Sequence, residues 1–331
     1  MLPTEIQSKN ILISPLNWGF GHVSRCIPLI YNLLESNNSI FIACDSIQKS
    51  VFVQYFDQKV KFIEHQGYPF QFSGKGNYTT DLFFSIGKLL KRSKNEIIEV
   101  ESYIKEFNID LIISDHRYSF RSKMCYSIFM THQLNLPINW FQFPFNLYHK
   151  KQIKKFDSIW IVDKAGNSLA GKLSINKHFP NSSYIGYLSR FMLYPKKVIK
   201  NGSVLIISGP KEYWANLFLL FSKELESNEI QTIVGSSEVQ ELTESKKFNK
   251  KFHSSDNWIE TDELLLSSKK IYGYIGYTTL MDVEILNCES HLIASPGQLE
   301  QKYLETKRQK KNPERIRDLI KSILKTILLL K

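Results

Sequence analysis

Short, nearly continuous apolar and β-branched runs recur at 10–15, 40–44, 60–64, 109–114, 127–131 and 158–162, and again at 203–208, 230–234, 270–275 and 291–295. Between them lie stretches with apolar residues at helical spacing. Runs without polar alternation are strands covered on both faces, and their alternation with helices predicts βαβ units and parallel sheets. The longest helix is expected over 80–106, where the apolar stripe has a period near 3.6 residues. A seam at Tyr184–Arg190, followed by Pro195-Lys196-Lys197 and Asn201-Gly202, interrupts the alternation. One Rossmann-like domain is therefore expected over 1–192, a second over 193–304, and a closing basic amphipathic helix over 305–331. At 331 residues the chain exceeds what one core usually serves. The expected architecture is α/β, with two doubly wound parallel-sheet domains facing a cleft and ligands at the carboxyl ends of the strands.

With 43% hydrophobic residues the chain can bury two cores, which sets it apart from disordered sequences. Cys26, Cys44, Cys125 and Cys288 stand far apart, with no CxxC pair and no His/Cys cluster at metal spacing, so a reduced protein without a metal site is expected. The first residues lack the apolar core of a signal peptide and no run of 18 apolar residues occurs, which predicts a cytoplasmic location. The net charge is +11, and 302–331 supply +7 of it through ten Lys/Arg against Glu305, Glu314 and Asp318. In that tail Ile316, Leu319, Ile320, Ile323, Leu324, Ile327 and Leu328 run at helical spacing after Asn312-Pro313. Such a helix either packs on the protein or lies on an anionic lipid surface. Segment 82–94 raises the same pair of readings, joining an apolar stripe to Lys88, Lys91, Arg92 and Lys94. Peripheral attachment at the inner face of the plasma membrane is the functional alternative for both. Lys246-Lys247 and Lys250-Lys251 read as a solvated loop. Nucleic acid is a poor partner, since the basic residues are not interleaved with stacking aromatics.

Two segments carry candidate chemistry. The strand 10–15 runs into Asn17-Trp18-Gly19-Phe20-Gly21-His22 and then a helix, so Gly19 and Gly21 permit a tight turn that presents His22 and Arg25 at a helix start. At the other end, Ile271–Leu304 holds a Gly/Thr turn, a helix start, a buried strand and the polar turn Pro296-Gly297-Gln298 in succession. Helix N-termini there suit a diphosphate. His22 can serve as a base near neutral pH or merely stabilise its loop. Asp115, at a strand end beside His116, Arg117 and Arg121, either orients His22 or an acceptor, or pairs locally with Arg117. His132 either binds acceptor or is structural. Ser208-Gly209-Pro210-Lys211 is a further strand-to-helix turn where Gly209 and Lys211 could meet a diphosphate. No GxSxG elbow and no P-loop occurs.

At these residues the chain resembles family 28 glycosyltransferases of the GT-B class. Gly276, Thr278, Thr279, Asp282, Pro296, Gln298, Glu300 and Gln301 stand where that family's donor box has its glycine, hydroxyl run, acidic helix residue and Pro…Gln…Gln turn. Gly21-His22 and Arg25 match its acceptor-side loop in the form GHxxR. The resemblance implies a metal-independent, inverting hexosyltransferase without a cofactor, using a nucleotide-diphosphate sugar, most readily UDP-linked, and a glycan, lipid-linked or small-molecule acceptor. It also implies that Gly209, Lys211, Gly276, Thr278, Thr279, Asp282, Gln298, Glu300 and Gln301 hold the donor. Gly19, Gly21, Arg25, Arg117 and His132 would line the acceptor side, with His22 and Asp115 catalytic. Two departures stand out: Tyr274-Ile275 replaces the family's Arg-Ser pair, and Lys211-Glu212-Tyr213-Trp214 follows Gly-Pro where an Arg-bearing stretch is expected. They motivate a binding protein without turnover as one alternative. A sugar-nucleotide 2-epimerase on the same architecture is another.

Overall fold

The computed structural model describes residues 1–70, 78–137, 143–196, 199–246 and 248–311. Seven parallel strands make the first sheet: β1 Asn10–Pro15, β2 Ser39–Cys44, β3 Lys61–Glu64, β4 Leu111–Asp115, β5 Tyr126–Thr131, β6 Ser158–Ile161 and β7 Ser182–Tyr184. Their spatial order is β3-β2-β1-β4-β5-β6-β7. The helices α1 Phe20–Glu35, α2 Ser46–Phe56, α3 Tyr78–Phe107 and α4 Phe143–Ile153 belong to this half. The second sheet is also parallel, with β8 Asn201–Ile206, β9 Thr232–Gly235, β10 Lys251–Ser254, β11 Ser268–Tyr274 and β12 Glu289–Ile293 in the order β10-β9-β8-β11-β12. It carries α5 Trp214–Leu220, α6 Ser222–Glu226, α7 Ser237–Ser245, α8 Trp258–Ser267, α9 Tyr277–Leu286 and α10 Leu299–Lys311. The expected two-sheet α/β architecture is what the chain adopts.

Strand order decides where a ligand can sit. In the first sheet the order reverses between β1 and β4, and Pro15 lies beside Asp115 at their carboxyl ends. In the second it reverses between β8 and β11, so the loops after Ile206 and Tyr274 are neighbours. Such reversals open a crevice outside the strand ends. The loops after β1 and β11 meet across the gap, where α1 packs on α9. A single apolar cluster joins the halves, with Val23 and Ile27 of α1 alongside Leu280 and Met281 of α9.

Two strands fall outside the expected set. β7 is the short, polar Ser-Ser-Tyr at the first sheet's edge, and β10 is Lys-Phe-His-Ser at the edge of the second, paired with β9. Edge strands need no continuous apolar run, because one side stays unpaired and charge there blocks further pairing. Lys251, grouped with a solvated loop by its charge, thus opens a strand. On α3 the inner face is Arg92, Glu96, Val100 and Ile104, four residues apart and all buried. Arg92 therefore leaves the exposed basic set of 82–94: its guanidinium bonds Glu99 at 2.9 and 2.8 Å and the Gln66 carbonyl. Lys88, Lys91 and Lys94 are exposed, as are Phe84 and Leu90. Of the closing helix expected over 305–331, residues up to 311 continue α10, and 312–331 lie outside the described residues.

Candidate functional site

β1 ends at Pro15, and the amide of Leu16 bonds the Asp115 carbonyl at 3.0 Å, which ties the glycine loop to the end of β4. Gly19 caps α1 with φ +148°, a conformation that favours glycine. His22 lies in the first turn of α1, and its Nδ1 is 2.9 Å from Asp115 Oδ2. Arg25, one turn on, forks the same carboxylate, Nε to Oδ2 at 2.9 Å and Nη2 to Oδ1. Asp115 has no exposed surface and Arg25 is 1% exposed, whereas 19% of the His22 side chain is open.

Burial alone would raise the Asp115 pKa, but the Arg25 charge, with the hydrogen bonds from His22 and Arg25, outweighs it and holds the carboxyl below its ordinary value. The His22 pKa is lowered, first by burial and then by Arg25, against the opposing pull of Asp115. The imidazole is consequently neutral at neutral pH. Its Nδ1 lies 2.9 Å from both Asp115 Oδ2 and Arg25 Nη2; when the Nδ1 proton is given to Asp115, the Nε2 lone pair is available for a proton. This is base chemistry on a buried carboxylate, held by a cation that cannot be titrated away.

The second half supplies helix N-termini. Gly276 precedes α9, and Thr278 Oγ1 donates to the Gly21 carbonyl at 3.0 Å across the gap. A Cβ on Gly21 would meet that hydroxyl at 2.9 Å, so a glycine permits the approach. Thr279 is in the same first turn and is partly exposed. The Pro296–Gln298 turn leads into α10; Gln301 Oε1 accepts the Ser295 amide at 2.8 Å, and Gln298 is partly exposed. Glu300, in the first turn of α10, bonds His132 Nε2 at 2.8 Å. Burial would raise the Glu300 pKa, but His132 and then Arg25 keep it low.

The structure thus brings Gly19, Gly21, His22, Arg25, Asp115, His132, Gly276, Thr278, Thr279 and Glu300 to one place. Other candidates have partners of their own. Arg117 has no exposed surface and pairs with Glu96 at 2.5 Å, away from Asp115. Asp282 accepts from Ser189 Oγ at 2.6 Å and Arg190 Nη1 at 3.2 Å, on the connection between the sheets. Lys211 is 68% exposed and paired with Glu238, and Gly209, at φ +84°, receives Trp214 Nε1 on its carbonyl at 3.1 Å. Among the described residues no three of His, Cys, Asp or Glu are placed to hold a metal ion, and no helix is long and apolar enough to cross a membrane.

Three contributors escaped the sequence reading. Tyr277 stacks on His132 with centroids 4.0 Å apart and planes 1° from parallel; its only signal was its place between Gly276 and Thr278. Arg190 bonds Asp262, Asp282 and Ser24, so the seam is a charged joint. His116, at φ +62°, sets its ring 6.1 Å from that of His22.

This architecture is the GT-B fold, as solved structures show. A glycosyltransferase of kitacinnamycin matches with TM-score 0.61 over 89% of this chain and 83% of its own, at 10% identity. A Phytolacca americana UGT2 complexed with UDP-2-fluoro-glucose and pterostilbene matches with TM-score 0.60 over 92% and 84%, at 12% identity. Acinetobacter baumannii MurG matches with TM-score 0.51 over 96% and 91%, at 10% identity. No family model and no curated protein sequence matches the chain.

Proposed function

We propose that the protein is a family 28-like, inverting hexosyltransferase that moves a sugar from a nucleotide diphosphate, most readily UDP, to an acceptor hydroxyl. The observation that carries this reading is the His22–Asp115 hydrogen bond on the cleft side of a GT-B fold, opposite the N-termini of α9 and α10. In the reaction His22 Nε2 takes the acceptor proton while the acceptor oxygen attacks the anomeric carbon. The bond from that carbon to the diphosphate oxygen breaks on the opposite face, which inverts the centre. Asp115 fixes the tautomer and balances the imidazolium, and Arg25 keeps Asp115 ionised. The departing diphosphate gathers charge where the amides of Thr278 and Thr279 and the α10 N-terminus lie, a preorganised field that substitutes for a divalent ion. Gly209 and Lys211, Gln298 and Gln301 would complete the donor side. The test is single-turnover transfer with His22→Ala against the wild type, alongside nucleotide affinity. Lost turnover with retained affinity supports the base assignment, and unchanged turnover removes it.

The similar UGT2, complexed with UDP-2-fluoro-glucose and pterostilbene, supports the kind of ligand. A second reading, nucleotide-sugar binding without turnover, is favoured by one observation: Glu300 is hydrogen-bonded by His132, and Asp282 and Lys211 each have a charged partner inside the protein. Thermal shifts with UDP, GDP, TDP and CDP, followed by product analysis, separate the two. Contact with an anionic lipid surface through 82–94 is proposed from Phe84, Leu90, Lys88, Lys91 and Lys94 alone. Absence of binding to anionic vesicles at low salt would remove it.

A further inference from the structure

One imidazole touches both halves of the cleft at once. His132 follows β5, is 6% exposed, and its Nδ1 is 3.1 Å from Arg25 Nη1 on the base side. Its Nε2 is 2.8 Å from Glu300 Oε1 at the start of α10. Its face lies on Tyr277 at the start of α9, and the Tyr277 hydroxyl in turn donates to the Val162 carbonyl of the first half at 2.6 Å. An arginine can only donate, so Nδ1 of His132 must accept, and the ring proton sits on Nε2, where Glu300 receives it. The tautomer is thereby set from the base side and read out on the donor side.

We propose that His132 is the positioning residue that registers the donor helices against the base, holding Glu300 through one nitrogen and Arg25, hence Asp115 and His22, through the other. With Oε1 held by His132, the direction of the Glu300 carboxylate is fixed by His132. Shifting reacting groups by about 1 Å costs on the order of 10² in rate, which is the scale of effect expected when this register is lost. The proposal rests on the transferase reading above.

Two measurements test it. In the first, His132→Phe keeps the ring on Tyr277 and loses both nitrogens, whereas His132→Gln can accept from Arg25 and donate to Glu300. With UDP-N-acetylglucosamine as donor, the Phe variant should lose about 10²-fold in kcat with little change in acceptor KM, and Gln should recover most of it. Adding Glu300→Gln to the Phe variant should cost nothing further. Additive losses, or a Gln variant no better than Phe, would overturn the proposal. The second measurement is the ¹⁵N spectrum of the His132 ring in the unliganded wild type, which needs no substrate. A bare Nδ1 and a protonated Nε2 are expected, and the opposite tautomer overturns the register. If the wild type turns over no nucleotide sugar, the transferase reading fails and the ring spectrum alone decides the role of His132.

Discussion

Asp115 and Glu96 are both carboxylates without exposed surface, each paired with an arginine and bonded by a histidine. Around Glu96 stand Arg117 at 2.5 Å, His65 at 3.0 Å and the Tyr68 hydroxyl. Burial alone would raise its pKa; Arg117, then His65 and Tyr68, hold it at about 2. The parts match those around Asp115, but the histidines differ. His65 is 1% exposed, and both of its ring nitrogens have partners, Tyr103 and Glu96. Among the described residues His22 bonds through Nδ1 alone, to Asp115 and Arg25, and 19% of its side chain is open. A buried ion pair is weak evidence for chemistry until one of its members keeps a free nitrogen toward a cleft. The Glu96 cluster instead holds the 65–70 loop: Arg92 and Arg117 both bond the Gln66 carbonyl.

The widest separation between the clusters should come from the histidines. His22→Ala is expected to lower turnover by about 10²–10⁴-fold with nucleotide affinity kept, and His65→Ala to leave turnover of the folded protein largely intact. Equal losses in a single-turnover assay would erase the distinction. Next is Arg117→Ala, which strands Glu96 without its cation and should destabilise the fold by about 3–5 kcal/mol. Urea unfolding measures this, and a loss below the range of exposed pairs would mean that Glu96 is not buried as described. Smaller again is Gly21→Ala. Its Cβ would meet Thr278 Oγ1 at 2.9 Å, so about 1–3 kcal/mol of overpacking strain is expected, along with weaker closure of the two halves. A wild-type melting temperature would show that the approach of α9 to the glycine loop is not tight.

This contrast also marks what the sequence could reveal. Strands covered on both faces announce themselves by composition, so ten of the twelve among the described residues were legible; β7 and β10 were not, being edge strands whose polar residues need no buried partner. His22, Asp115 and Glu300 were legible because glycine turns and strand ends mark the cleft side of a doubly wound sheet. Arg117 was grouped with them on the same logic, since it too follows β4. What separates it from Asp115 is Glu96, 21 residues upstream on the inner face of α3, and a long-range charge pair leaves no local pattern. Arg92 misled for the related reason that a charged residue on a core-facing helix position looks like surface.

Acid titration is the mildest perturbation and the sharpest test of the comparison. Burial lowers the pKa of His22 and of His65 alike. A histidine whose pKa is depressed in the fold stabilises fully above the unfolded value of 6.5, and that contribution is lost as pH falls toward the folded value. Unfolded chains take up the proton first, so each such histidine should lower stability as pH falls from 7 to 6. His149, lowered to about 4 by burial against its bond to the Gln133 carbonyl, adds to the same slope. His22→Gln and His65→Gln should therefore each flatten the stability profile over this interval. Turnover should tell them apart: its acidic limb, below pH 6.5, belongs to His22 and should persist unchanged in His65→Gln. An acidic limb that moves with His65 would mean that the closed cluster, not the open one, governs the proton on which the reaction depends.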